Sequence, residues 1–175
     1  MPYFAVQVVT GRELEYVKRV SLARADLSMH NIRKKLMIRK LGKSILQTSN
    51  VFPGYVFLEY GEDALSPQVV SVLRKTRSFL RVLPSTADIK PLNPRDADLL
   101  RRFIALGGEL APSLVRFDEN QRIRILKGAL VGLEGNILKV DRRKHRVKIR
   151  LDIHNSSFLI DLGYELLEKV EERTS

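Results

Sequence analysis

Cysteine is absent from the 175 residues, and histidine occurs only three times. The first absence removes disulfides, thiolate metal sites and thiol nucleophiles, and nothing requires an oxidising compartment. His30, His145 and His154 lie far apart in the chain and outside any metal-ligand spacing, so surface or turn positions account for them better than a metal cluster does. No apolar run approaches the ~20 residues that span a bilayer. The run at residues 3–9 is too short for a signal peptide and lacks its basic start, so the expected location is cytoplasmic, with no membrane partner. Also missing are a Ser, His and acid grouping, a phosphate-loop pattern and a motif-anchored carboxylate pair, which argues against an enzyme and implies no cofactor. There is no internal repeat and no low-complexity tract.

What the chain has in excess is positive charge. Thirty-one Lys and Arg stand against 20 Asp and Glu, a formal net charge of +11, and a balance this basic favours a polyanionic partner, nucleic acid ahead of membrane. The length allows one or two modest cores. The densest feature is at residues 127–150, where Gly128, Gly132 and Gly135 punctuate an apolar run that is followed by a strand, a basic turn and a second strand. Six of the nine residues from 142 to 150 are Lys or Arg. In that second strand Val147, Ile149 and Leu151 share one face while Arg146, Lys148 and Arg150 share the other, so pleat geometry separates a core face from a cationic one.

In chain order, the apolar run at 3–9 predicts a strand, and Thr10-Gly11-Arg12-Glu13 has the spacing of a capping box. The helix it opens would carry Tyr16, Val17, Val20, Ala23 and Leu27 on one stripe and end near Ser28. Residues 35–39 and 44–48 predict a basic, exposed hairpin turning through Gly42. Val51-Phe52-Pro53-Gly54-Tyr55-Val56-Phe57-Leu58 begins with a Pro-Gly bend and continues as a strand too apolar to leave both faces in water. Ser66-Pro67 and Asn93-Pro94 each place a capping side chain before a first-turn proline, predicting a short helix and a longer one that runs to about Leu106, with a strand at 79–83 between them. From 107 to 121 periodicity gives way to Gly107, Gly108, Pro112, Asp118 and Asn120, a linker composition. The expected division is therefore an α+β unit over residues 1–106, a linker over 107–121, and a small barrel of about five strands over 122–175.

Two stretches then match a known pattern. Phe52-Pro53-Gly54-Tyr55-Val56-Phe57 resembles the signature strand of an NGN domain, and residues 125–141 resemble a KOW motif. In this order, either side of a linker, they resemble the NusG family of transcription elongation factors, and the likeness covers nearly the whole chain. It implies an N-terminal NGN α/β sandwich that docks on the clamp helices of RNA polymerase, followed by a small SH3-like KOW β-barrel. Within the family the chain is most similar to specialised antiterminator paralogs of the LoaP type, because the glycine run is followed by the dense basic turn Asp141-Arg142-Arg143-Lys144-His145-Arg146 and then by Ile160-Asp161-Leu162-Gly163. That likeness implies a factor that stays on polymerase through terminators and whose KOW domain recognises a structured RNA leader. The general members carry a Phe-Gly pair in the barrel loop that engages Rho or a ribosomal protein, where this chain has Ile153-His154-Asn155-Ser156-Ser157.

Each of these residue groups has two readings. Taken alone, Tyr3, Phe52 and Tyr55 are ordinary core aromatics; the resemblance makes them an exposed apolar concavity that contacts polymerase. The cations Lys127, Lys139, Arg142, Arg143, Lys144, Arg146, Lys148 and Arg150, with His145, are either a solvated face or an RNA-binding one, and mutual repulsion favours the second. Arg122 and Arg124 are lesser candidates. Lys34, Lys35, Arg39, Lys40 and Lys43 of the hairpin, and Arg74, Lys75 and Arg77, are either solvated or near nucleic acid, including DNA, in an elongation complex. The functional expectation is a monomeric processive antiterminator that binds RNA polymerase and an RNA hairpin. The alternatives are a housekeeping factor coupling polymerase to Rho or the ribosome, and a ribosome-associated KOW protein.

Overall fold

The computed structural model describes residues 1–154 and 156–167; Asn155 and the end of the expected second unit, 168–175, lie outside the described residues. In chain order the N-terminal unit contains β1 (Tyr3–Val8), α1 (Glu13–Ala23), β2 (Ser28–His30), β3 (Arg33–Lys40), β4 (Lys43–Asn50), β5 (Tyr55–Glu59) and α2 (Pro67–Lys75). It continues with β6 (Phe79–Val82), the two-residue strands β7 (Pro84–Ser85) and β8 (Asp88–Ile89), α3 (Pro94–Ala105) and β9 (Glu109–Leu110). The barrel strands are β10 (Ser113–Phe117), β11 (Ile123–Lys127), β12 (Ile137–Asp141), β13 (Arg146–Ile153) and β14 (Ser156–Leu166).

β1 lies inside a four-stranded sheet of order β2-β5-β1-β6, paired antiparallel to β5 from Tyr3 opposite Glu59 to Gln7 opposite Tyr55. Both of its faces are covered, which is why its sequence is apolar at every position but Gln7 and does not alternate. Phe4, Val6 and Val8 pack with Tyr16 and Val20 of α1 and with Val69 and Leu73 of α2. On the opposite face Tyr3 and Ala5 share a core with Phe52, Phe57, Leu100 and Phe103. The two proline-led helices start as their sequences imply: Ser66 Oγ accepts from Val69 N at 3.3 Å, and Asn93 Oδ1 accepts from Asp96 N at 2.8 Å.

The first helix departs from expectation at both ends. Thr10 makes no cap; the residue before the helix is Arg12, without a side-chain cap hydrogen bond. Glu13 turns inward instead, 1% exposed, and accepts from Gly11 N at 2.9 Å and from Gly54 N at 2.6 Å. Gly54, at φ +82, bends the Pro-Gly turn so that its N–H meets this carboxylate at the positive end of α1. The helix stops at Ala23 rather than Ser28, because residues 28–30 form β2 and pair with the edge of β5, Ser28 opposite Glu59. Leu27 is buried from the connecting turn, and Ala23, expected on the stripe, is exposed.

The hairpin β3–β4 is longer than expected and turns through Leu41 and Gly42, both at positive φ, the two-residue geometry that matches strand twist. The stretch expected to be linker, 107–121, contains two strands. β9 pairs parallel to β3 through Arg33–Glu109 and Lys34–Leu110, and β10 joins the barrel sheet of order β11-β10-β14-β13-β12. Only Ala111 and Pro112 separate the two strands, so the units are closely tethered. Composition concealed this because each strand owes its place to partners distant in sequence, β10 running parallel to β14.

Along β13 burial alternates strictly, Val147, Ile149, Leu151 and Ile153 inward, as pleat geometry predicts. Arg142, just after β12, ties the outer edges of this sheet together at one end: its guanidinium lies 4.0 Å from the Phe117 ring centroid and donates to Gln121 Oε1 at 2.9 Å and Gln121 O at 2.7 Å.

Replacing Glu13 by alanine leaves two N–H groups without their acceptor, and we expect a loss of about 2–4 kcal/mol in stability, measured by urea denaturation. Thr10→Ala should change the midpoint far less, since Thr10 does not cap the helix.

Candidate nucleic-acid and partner surfaces

The bend before β5 places Phe52 at the meeting point of the two units. Its ring stands edge-to-face with Phe57 at 5.4 Å and with Phe158 of β14 at 5.2 Å, and Phe158 meets Tyr55 in the same manner at 5.1 Å. Such pairs contribute about 0.5–1.5 kcal/mol each beyond the area they bury. The expected exposed concavity is therefore not exposed: Tyr3 is 3% and Phe52 1% accessible, and only Tyr55 is half-buried. The physical reason is that a contiguous apolar patch is costly in water, and Phe158 of β14 covers Phe52 and Tyr55. Tyr3 sits further along the same core with Arg101 over its ring at 5.7 Å; burial, and next the charge of Glu59, push its phenol up.

The seam continues along α3. Arg102 Nη2 donates to Ala129 O at 3.3 Å, and Leu130 and Leu133 of the glycine-punctuated loop join the core of Leu100 and Phe103. Beside them is a cleft of about 680 Å³ lined by Asn93, Asp96 and Arg102 on one side and Gly132, Asp152 and His154 on the other. Burial holds the His154 imidazole below its ordinary value, opposed by the Asp96 charge, and burial pushes the Asp96 carboxyl up. The three histidines are dispersed: His30 lies 3.2 Å from Glu59 Oε2, His145 stacks on Tyr164 at 5.2 Å, and His154 is in the seam.

The cationic group divides into structural and unengaged members. Arg142 closes the sheet, and Arg150 is turned onto Asp152 and Ser157 Oγ. Arg143 and Lys144 project from the β12–β13 turn, where the Lys144 N–H donates to Asp141 Oδ1 at 2.9 Å. Lys139 and Lys148 stand directly opposite one another on β12 and β13, a like-charged pair that is unfavourable without a counter-charge. Asp161 offers one from β14, at 3.9 Å from Lys148. Lys139, Lys144, Arg146 and Lys148 surround a cavity of about 170 Å³ with Asp141 and Asp161, a site with four cations and two carboxylates. Lys127, on β11, is exposed but is not one of its lining residues.

The hairpin cations are brought beside this site, which their sequence separation concealed. Arg146 Nη2 donates to Met37 O of β3 at 2.9 Å. Lys34 is half-buried; desolvation pulls its ammonium down, Arg146 and Lys148 act in the same direction, and Asp161 opposes them. Lys35 lies where β3 meets Gly163, whereas Arg39, Lys40 and Lys43 extend toward the exposed hairpin tip. Arg74 and Lys75, in the last turn of α2, and Arg77 beyond it belong to the side of the four-stranded sheet that faces α1 and α2, so the structure does not join them to the group. Phe158, Asp161 and Arg102 were not legible as site residues. Phe158 has the same strand parity as the inward Ile160 and Leu162, so its only sequence signal is that of barrel core.

Comparison with known proteins gives one family match and relatives over nearly the whole chain. A family described as transcription termination factor nusG matches residues 1–101. The transcription termination/antitermination protein NusG of Helicobacter pylori strain J99 is 20% identical over 182 residues, covering 97% of this chain and 99% of that protein. The protein of the same name from Pseudomonas aeruginosa PAO1 is 23% identical over 163 residues, covering 93% and 85%. A solved structure described as domain interaction in Thermotoga maritima NusG has a TM-score of 0.55, covers 93% of both chains and is 16% identical, which marks a shared fold.

Since the His154 value is depressed in the folded chain, protonation costs stability: full stability holds above the ordinary value of 6.5 and declines as pH falls below it. Asp96, raised from 3.8, acts with the opposite sign. Thermal unfolding should therefore show a lower midpoint at pH 5.5 than at pH 7.5, and His154→Asn, which tolerates the positive φ at this position, should flatten that difference.

Proposed function

The chain belongs to the NusG family of transcription termination and antitermination factors, and on that premise we propose that it is a processive antiterminator, carried on RNA polymerase and recruited by a structured leader RNA. In this reading the concavity of Tyr3, Phe52 and Tyr55 is the surface that receives the polymerase clamp helices, and the C-terminal barrel is a KOW domain that holds the RNA. The observation that carries it is the site of Lys139, Lys144, Arg146 and Lys148, four cations that include an opposed lysine pair and face only two carboxylates. Phosphates relieve that repulsion, and counterion release then makes affinity fall steeply with salt. A bulged or distorted stem would let arginines add base-edge contacts. The aromatic surface is covered by Phe158 in this arrangement, so polymerase docking requires the barrel to lift away.

A second reading is a housekeeping factor that couples polymerase to Rho or the ribosome; what favours it is likeness to general NusG proteins over almost the full chain. The barrel loop near His154 separates the two. Robust capture of Rho or a ribosomal protein through that loop supports coupling, and its absence together with RNA binding supports antitermination.

Two outcomes test the main reading. Changing Lys139, Lys144 and Lys148 together to alanine should lower the slope of log affinity against log salt by about 2 in a filter-binding titration with leader RNA, leaving polymerase co-purification intact. Arg142 is unsuitable for this purpose because it also holds Gln121 and the Phe117 ring, so its loss would mix structural and electrostatic effects. For the polymerase surface, Tyr55→Ala should reduce co-purification with RNA polymerase and Phe158→Ala should increase it. Tyr55 is the cleaner probe, since Phe52 is core and its truncation would cost about 3–5 kcal/mol.

A further inference from the structure

We propose that the RNA site is composite: Lys34 of the N-terminal hairpin completes the barrel cluster, so a polyanionic RNA strand binds across both units and stabilises their closed arrangement. The inference rests on the RNA reading above and adds a regulatory consequence to it.

Lys34 is carried on β3 just before Lys35, whose carbonyl lies against Gly163 of β14, and Met37, whose carbonyl holds Arg146, so it feels the charges of Arg146 and Lys148. The carboxylate set against these three cations is Asp161, 3.9 Å from Lys148. Among the described residues Lys34 forms no ion pair within 4.0 Å. Closing the units therefore brings like charges together in a partly desolvated seam, which costs free energy until an anion enters. Arg146 links the two functions in one side chain. Its Nη2 holds Met37 O across the seam, its Nε is buried without a hydrogen-bond partner, and the residue lines the cavity shared with Lys139 and Lys148. A phosphate in that cavity would accept from the lysine ammoniums that line it without displacing the bond to Met37, and the strand carrying it would run toward Lys34 on the neighbouring β3.

A ligand that binds one arrangement better shifts the population toward it by that difference in affinity. RNA across the seam thus favours the arrangement in which Phe158 covers Phe52 and Tyr55. The barrel cations do not depend on closure, so the RNA remains held when polymerase displaces the barrel, and the Lys34 contact is what is surrendered. Bound RNA in this scheme still brings the chain to the polymerase that is transcribing it, and docking on the clamp then costs only the Lys34 contact.

The chain has no tryptophan, so Phe158→Trp introduces a single fluorophore at the seam. With the full chain and a short RNA hairpin as probe, RNA should shift its emission to the blue or reduce its quenching by acrylamide. In the wild-type background Lys34→Gln, which keeps the stem and removes the charge, should weaken RNA binding and lower the salt slope by about 0.7–0.9, the value of one phosphate contact. Phe158→Asp, which opens the seam, should lose the same increment, and adding Lys34→Gln to it should have no further effect. A red shift on RNA addition, or an unchanged salt slope in Lys34→Gln, overturns the composite site. If Lys139→Ala with Lys148→Ala also leaves RNA binding unchanged, the RNA reading itself is overturned; if only Lys34→Gln is silent, that reading stands and the composite site fails.

Discussion

Phe158 stands edge-on to Phe52 and Tyr55, and much of the structure depends on that three-ring contact. It joins the core beneath β1 to the core of the barrel, so that Tyr3, Leu100, Val147 and Ile160 belong to one continuous apolar cluster. It also sets which surfaces are available, since the aromatic concavity is covered while the contact holds. The tether of two residues between β9 and β10 keeps the barrel close, which favours re-formation of the contact after opening.

The same seam reorganises the charges. The cations of the hairpin and those of the β12–β13 turn are far apart in sequence, yet Arg146 reaches Met37 and Lys35 O lies against Gly163. Among the barrel cations the structure assigns distinct work: Arg142 closes the sheet, Arg146 crosses the seam, Arg150 is neutralised by Asp152, and Lys139, Lys144 and Lys148 face a cavity. Affinity for a polyanion and closure of the two units draw on overlapping side chains, so a change in one is felt in the other.

Much of the fold was legible because its signals are local. The Ser66-Pro67 and Asn93-Pro94 caps place two helix starts, the alternation over 147–153 orients β13 in the barrel, and the apolar run at 3–9, interrupted only by Gln7, marks a strand covered on both faces. Local reading failed where a stronger non-local partner was available. Thr10 loses the capping role because Glu13 finds Gly54, residues 28–30 leave the helix for the edge of β5, and the glycine- and proline-bearing 107–121 conceals two strands paired to remote neighbours.

The sequence by itself determined the excess of positive charge, the cationic outer face of β13, the aromatic bend before β5 and the family to which these belong, since each follows from residue type and spacing within a few positions of the chain. Only the tertiary structure decided that the aromatic bend is covered, that Arg142 and Arg146 are engaged, and that the hairpin strand β3 packs against the barrel through Met37. Phe158 carries the alternation of a barrel-core residue, and nothing in that pattern distinguishes an inward ring from one that meets a second unit. The distinction depends on which surfaces are brought together when the two sheets dock.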